Sequence, residues 1–181
     1  MNRAVFLDRD GVINRAFVRD GRSYPPDRLE DFQLIEGVSE ACALLKTAGY
    51  LLMVVTNQPD VATGKQSLDV VAAMHQKMKG LLPIDDVFAC YHVDEDHCAC
   101  RKPRPGMLLE AAKRHGLDVT ESFLVGDRRR DILAGQAVGC HCYFIDYRYR
   151  EPGPDGPFET VSDLLDAANR ILRLSPTHPH T

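Results

Sequence analysis

Five short apolar runs punctuate the chain, at residues 4–7, 51–55, 87–91, 122–125 and 142–145. None alternates apolar with polar positions, which is the pattern of strands buried on both faces. The segments between them carry helical spacing. Residues 37–48 place Val38, Ala41, Leu44 and Leu45 on one face and stop at Gly49. Residues 68–81 and 131–138 are also expected to be helical. So are residues 105–115, opened by Pro105 and closed by Gly116, and residues 161–172 form a last amphipathic helix. Strand and helix in alternation predict an α/β fold: a Rossmann-like parallel sheet with helices on both faces. Such sheets bind ligands beyond the carboxyl ends of their strands. Asp8, Thr56 and Asp127 each follow a predicted strand, so three polar groups are expected to converge on one edge. Any one of them alone reads more simply as a polar loop residue, and it is the three together that point to a site. Residues 15–31 lack periodicity, carry Gly21, Pro25 and Pro26, and read as a long loop or flap beside the first strand. Residues 175–181 read as a frayed tail, leaving residues 1–174 as a single domain.

Composition narrows the class. Apolar residues make up 44% and charged residues 27% of 181, the balance of a globular chain rather than a disordered one. A net charge of −4 provides no global basic field for nucleic acid, although a local basic patch is compatible with it. No apolar run approaches the length of a membrane span. The first apolar run ends at Asp8, too early for a secretion signal, so the expected compartment is the cytoplasm. There the six cysteines are expected to be thiols or metal ligands rather than disulfides.

The candidate chemistry begins at Asp8-Arg9-Asp10-Gly11-Val12. Two carboxylates two residues apart at a strand end can face one cation, and few, hard oxygen ligands suit Mg²⁺. Asp127 would add a third carboxylate. A carboxylate can also attack phosphorus, while a second gives a proton to the leaving oxygen and later takes one from water. A separate cluster, Cys90-Tyr91-His92 and then Cys98-Ala99-Cys100, offers three thiolates and an imidazole, enough to close a tetrahedral zinc shell. Cys3His leaves no open position, so the loop over residues 90–100 reads as a structural site. His97, Asp94 and Asp96 are competing ligands, and reduced buried thiols are the plainer reading for Cys42, Cys140 and Cys142.

Asp8-x-Asp10-Gly11-Val12, Thr56-Asn57-Gln58, Arg101-Lys102-Pro103 and Gly126-Asp127-x3-Asp131 resemble, in order, the four motifs of the haloacid dehalogenase superfamily of phosphatases. The resemblance implies that Asp8 is the nucleophile and Asp10 the general acid/base, with the Asp10 backbone carbonyl on Mg²⁺. It further implies that Thr56 hydrogen-bonds the transferring phosphoryl group, Lys102 neutralises its oxygens and Asp127 ligates Mg²⁺. Asp131 would be a structural or metal-supporting acid. Joined to the Cys/His cluster, the pattern resembles the branch of heptose bisphosphate 7-phosphatases and histidinol-phosphate phosphatases. That branch implies a small phosphorylated metabolite as substrate, with contacts from Arg101 and Arg128. Asn57 is expected to orient its loop or touch the substrate, and the chain is expected to be a monomer.

Some positions depart from the branch. Thr56-Asn57-Gln58 continues as Pro59-Asp60, Arg128 stands where a lysine is usual, and the loop after Asn14 is longer. The intervals from Asp8 to Thr56 and from Thr56 to Lys102 are filled by expected core elements and the zinc loop, so an open, capless site is expected. The rivals are histidinol-phosphate phosphatase, a DNA 3′-phosphatase and, in another class, a zinc-stapled binding module without catalysis.

Overall fold

The structure, a computed structural model, describes residues 1–174. The expected tail at 175–181 lies outside them. Six parallel strands make the central sheet: β1 (Ala4–Leu7), β4 (Leu51–Asn57), β5 (Asp86–Cys90), β6 (Phe123–Gly126), β7 (His141–Ile145) and β8 (Glu159–Val161). Their spatial order is β5-β4-β1-β6-β7-β8, so β1, the first strand in sequence, is central. All of β1 and β6 is buried, as is β4 beyond Leu51, which is why these runs show no alternation.

The helices cover both faces. On one side α1 (Val38–Thr47), α2 (Leu68–Leu81) and α5 (Leu164–Leu174) pack Leu45, Met74 and Ile171 against Val5, Leu52, Val54 and Val125. On the other, α3 (Gly106–His115) and α4 (Arg129–Ala137) pack Leu108 and Ile132 against Phe6, Met53, Val55 and Leu124. Adjacent residues of one strand thus feed opposite cores, the period of two that a pleated strand imposes. Among the described residues, no helix is long and apolar enough to cross a membrane.

Three expectations need correction. Residues 15–31 are not a structureless loop: they hold an antiparallel hairpin of β2 (Phe17–Arg19) and β3 (Arg22–Tyr24), then a 3-10 turn at Leu29–Asp31. The hairpin turn is Asp20-Gly21, with φ of 51° and 73°, the left-handed pair that a two-residue hairpin loop requires. Val161 closes β8 rather than opening the last helix, which starts at Leu164. Thr56 lies within β4, whose pairing with β5 runs on to Asn57, rather than after it. Asp8 and Asp127 directly follow β1 and β6, neighbours in the sheet, so their side chains emerge side by side.

Candidate active site and metal centre

At the carboxyl edge of β1, β4 and β6 lies a cleft of about 410 Å³. Asp8, Asp10 and Asn57 line its floor, Arg22 and Tyr24 of the hairpin one wall, and Arg128, Arg130 and Arg150 another. A larger hollow of about 530 Å³ runs along β7 and β8 past Cys140 and His141, and none of the candidate catalytic residues borders it.

Asp8, Asp127 and Asp131 are buried, and each offers a carboxylate oxygen within 4.8 Å of the others. Three crowded carboxylates repel, and burial compounds this. Burial pushes the Asp8 carboxyl up, Asp131 adds to that, and Lys102 opposes it. Burial, Asp8 and Asp131 push Asp127 well above the usual carboxylate range, against the Tyr149 hydrogen bond and Arg128. One oxygen of Asp127, Oδ1, is buried without a hydrogen-bond partner among the described residues. An orphaned carboxylate oxygen in an acidic cluster fits a hard divalent cation, which would supply the missing positive charge.

Lys102 is the cation the chain itself provides. Its side chain is 1% exposed, and its Nζ lies 2.9 Å from Asp8 Oδ1, 2.7 Å from Asp131 Oδ1 and 2.7 Å from the Val55 carbonyl. Burial alone would push the ammonium down, but Asp131 and Asp8 reverse this and the net shift is upward. The second oxygen of Asp131 accepts from the Arg128 backbone N–H at 2.9 Å. The chain thus gives Asp131 a hydrogen bond at Oδ2 and the Lys102 ion pair at Oδ1, which otherwise has no hydrogen-bond partner among the described residues. Asn57 is also spent on Lys102: its amide donates to the Lys102 carbonyl and accepts from the Lys102 N–H, both at 3.1 Å. Asn57 thus holds the loop that presents the lysine, one of its two expected roles, while also bordering the cleft.

Asp10 sits in a cage of donors. Arg9, fully buried, donates to both its oxygens at 3.0 Å, Asn14 to one at 3.0 Å and Gln58 to the other at 2.7 Å. Gln58 also donates to Thr56 Oγ1 at 2.9 Å, linking the acid/base candidate to the phosphoryl-binding candidate. Behind Arg9 stands His75 of α2, its Nε2 3.2 Å from the guanidinium. Burial and Arg9 push that imidazole down to about 4, with Asp10 opposing. A neutral ring is what an arginine donor needs to find at Nε2.

The two expected arginine contacts are placed differently. Arg101 is buried and turned into the Cys/His loop, where it donates to Asp94 Oδ1 at 2.7 Å and the His92 carbonyl at 3.2 Å. It does not line the cleft. Arg128 does, but Glu151 binds its guanidinium through both carboxylate oxygens, two of the contacts being 2.8 Å. Arg22, Arg130 and Arg150 carry no salt bridge among the described residues, and the Arg130 Nε is buried without a partner. These three are the cations of the cleft left free for an anion. Asp60 also borders the cleft, beside Pro59.

Sequence reasoning missed the segment after β7. Tyr147 donates to the Gly11 carbonyl at 3.0 Å, Tyr149 to Asp127 Oδ2 at 2.8 Å, and the Arg150 N–H to the Gly21 carbonyl at 2.7 Å. It straps the hairpin to the acidic cluster. Nothing in the pattern of this stretch marks it, since its partners come from distant parts of the chain.

The second cluster lies beyond β5. The Sγ atoms of Cys90, Cys98 and Cys100 are 3.2, 3.5 and 3.7 Å apart, and His92 Nδ1 is 3.3 and 3.6 Å from two of them. Four zinc ligands at tetrahedral angles stand about 3.5–3.8 Å apart. Three of the five separations fall in that range and two lie just below it, so the four groups are gathered closely enough to share one ion. Arg104 Nη1 donates to the Cys98 carbonyl at 2.6 Å, so this loop and the Arg101–Lys102 stretch hold each other.

Comparison with known proteins agrees with this geometry. A family model described as HAD-hydrolase-like matches residues 99–147. A D-glycero-beta-D-manno-heptose-1,7-bisphosphate 7-phosphatase of Helicobacter pylori is 39% identical over 140 residues, which is 74% of this chain and 77% of that protein. The enzyme of the same name from Vibrio cholerae is 41% identical, over 75% of this chain and 76% of its own. The crystal structure of a D,D-heptose 1,7-bisphosphate phosphatase from B. bronchiseptica, complexed with magnesium and phosphate, superposes with a TM-score of 0.82 at 27% identity, covering 96% of this chain and 99% of that one. Four ordered motifs meeting at one sheet edge, and relatives that span three quarters of the chain, lead to one conclusion: the chain belongs to the haloacid dehalogenase-like phosphatases.

Proposed function

We propose that this phosphatase is Mg²⁺-dependent, works through an aspartyl-phosphate on Asp8, and releases the 7-phosphate of D-glycero-D-manno-heptose 1,7-bisphosphate. The observation that carries the reading is the buried Asp8–Lys102–Asp131 array at the floor of a cleft whose free cations are arginines. The names of the relatives and the magnesium and phosphate of the neighbouring crystal structure support the substrate and the cation.

Phosphoryl transfer asks a protein mainly for positioning and for positive charge around the phosphoryl oxygens. Asp8 attacks phosphorus through a carboxylate oxygen, and the phosphorus–oxygen bond to the sugar breaks. Asp10 gives its proton to the departing sugar oxygen, held in place by Arg9, Asn14 and Gln58. Asp10 then takes a proton from water, whose oxygen attacks phosphorus and frees Asp8. Throughout, Lys102 stands 2.9 Å from Asp8, beside the incoming phosphoryl group, and Asp131 and Asn57 keep it there. Bound Mg²⁺ would screen the repulsion between Asp8 and the phosphate, held by Asp8, Asp127 and the Asp10 carbonyl. Arg22, Arg130 and Arg150 are placed to hold the second phosphate.

Zinc at Cys90, His92, Cys98 and Cys100 is proposed as structural, fixing the loop that carries Lys102. The intervals between the motifs hold only the hairpin, core helices, β5 and this loop, which supports a site open to solvent without a cap domain.

Phosphate release with Mg²⁺ is to be measured for both anomers of the heptose bisphosphate, histidinol phosphate and a 3′-phosphorylated DNA nick. The bisphosphate is expected to lead by about a hundredfold in kcat/KM, the worth of one charge-assisted phosphate contact. Asp8→Asn is expected to abolish turnover of every substrate. A preference for histidinol phosphate would overturn the substrate assignment, and turnover by folded Asp8→Asn would remove Asp8 as nucleophile.

A further inference from the structure

The two oxygens of Asp127 have unlike surroundings. Oδ2 accepts the Tyr149 hydroxyl at 2.8 Å and lies against Gly11, whose φ is +94° and where a Cβ would stand 2.0 Å from it. Oδ1 is buried with no hydrogen-bond partner among the described residues. Tyr149 is itself held. Its ring lies 5.6 Å from that of Tyr147, and the Arg128 guanidinium stands 5.6 Å from its centroid. The next residue, Arg150, is pinned by its N–H to the hairpin turn. The hydroxyl is therefore built into its place beside the carboxylate rather than resting there.

We propose that Tyr149 is a positioning residue that selects the cation of the acidic cluster. With Oδ2 holding the Tyr149 hydroxyl and packed against Gly11, Asp127 presents Oδ1 to a cation more readily than both oxygens together. A small dication such as Mg²⁺ takes six ligands at about 2.1 Å and accepts carboxylates one oxygen at a time. A larger one such as Ca²⁺ takes up to about eight at about 2.4 Å and is well served by a carboxylate gripping with both oxygens. Tyr149 and Gly11 together hinder use of the second oxygen, which favours the smaller ion. The inference rests on the reading of this cluster as a divalent-cation site.

Calorimetric titration of the metal-free full chain with MgCl2 and, separately, CaCl2 tests it without recourse to activity. Three proteins are compared: the natural chain, Tyr149→Phe, and Tyr147→Phe, which loses a hydroxyl bound to a backbone carbonyl instead. Tyr149→Phe is expected to weaken Mg²⁺ about tenfold, the usual effect of deleting a partner of a metal ligand, and to leave Ca²⁺ binding equal or tighter. The Mg²⁺/Ca²⁺ affinity ratio should therefore fall about tenfold or more, while Tyr147→Phe keeps it within about twofold. If Tyr149→Phe does not fold, Tyr149→Leu, also without a donor, takes its place. An unchanged ratio in a folded variant overturns the role of Tyr149 and leaves the site intact. Failure of the natural chain to bind Mg²⁺ overturns the metal reading, and this inference with it.

Discussion

The chemistry of single residues here is governed by which charges are left without a counter-charge. Lys102 serves Asp8 and Asp131 at once, and the two carboxylates outnumber it. Deleting either side therefore has unequal effects. Asp8→Asn removes a crowded carboxylate and leaves the Lys102–Asp131 pair standing, so the metal-free variant is expected to melt at or above the natural protein. Lys102→Met strands two buried acids and is expected to cost about 3–5 kcal/mol, the penalty for removing one partner of a buried ion pair. Thermal melts of both without added cation check this, and equal losses would refute the charge imbalance. Asp8 was legible because its motif follows a strand, and Lys102 because it stands in the Arg101-Lys102-Pro103 motif. Arg9 lay within the Asp8 motif and Gln58 within the Thr56 motif, yet their roles were not legible. An arginine between two aspartates reads as a surface charge until the fold buries it completely against His75 of a distant helix. Arg101 shows the reverse: its motif position was plain, but its partner Asp94 could be known only once the Cys/His loop had closed.

Elements were legible in proportion to the apolar surface they bury. The strands of the core sheet and the helices facing them declare themselves, and α2 begins and ends where its spacing says, at Leu68–Leu81. The hairpin does not, because every residue of β2 is exposed and so are two of the three in β3. Its only sequence signal was the Asp20-Gly21 turn. The strand β8 has no clear signal, being three residues long with one buried, and its last residue, Val161, falls inside the expected helix. At this scale the Cys/His loop joins the edge strand β5 to α3 and carries Lys102 at its far end. Purified protein is expected to hold about one zinc per chain, the content of a single four-ligand site. Cys98→Ser is expected to lower that content and to reduce kcat by about tenfold or more, as the backbone under Lys102 loosens. Metal analysis beside the rate measurement checks both, and full activity in zinc-free protein would detach the loop from catalysis.

For the whole molecule, the parallel sheet with two covered faces followed from unalternated strands, and its carboxyl edge correctly located the cleft. The pH response of stability is also a global property. His75 is held down to about 4, so between about pH 6.5 and 4 the unfolded chain takes up a proton that the folded chain refuses. The stability linked to His75 is thus complete above that window and lost as pH falls through it. Asp8 and Asp127, both raised, act in the opposite sense and are shared by every variant that keeps them. Melts of His75→Gln are expected to fall less steeply than those of the natural protein from pH 7 to pH 4.5, and parallel curves would exclude His75 as the source. One feature of the architecture reaches beyond stability. One wall of the cleft is a hairpin with no buried residue in either strand, while Asp8 and Asp127 directly follow strands wholly inside the core. Selection can therefore rewrite the guest list without disturbing the machinery: new substrates can be explored at the hairpin by mutations to which the folding core is indifferent.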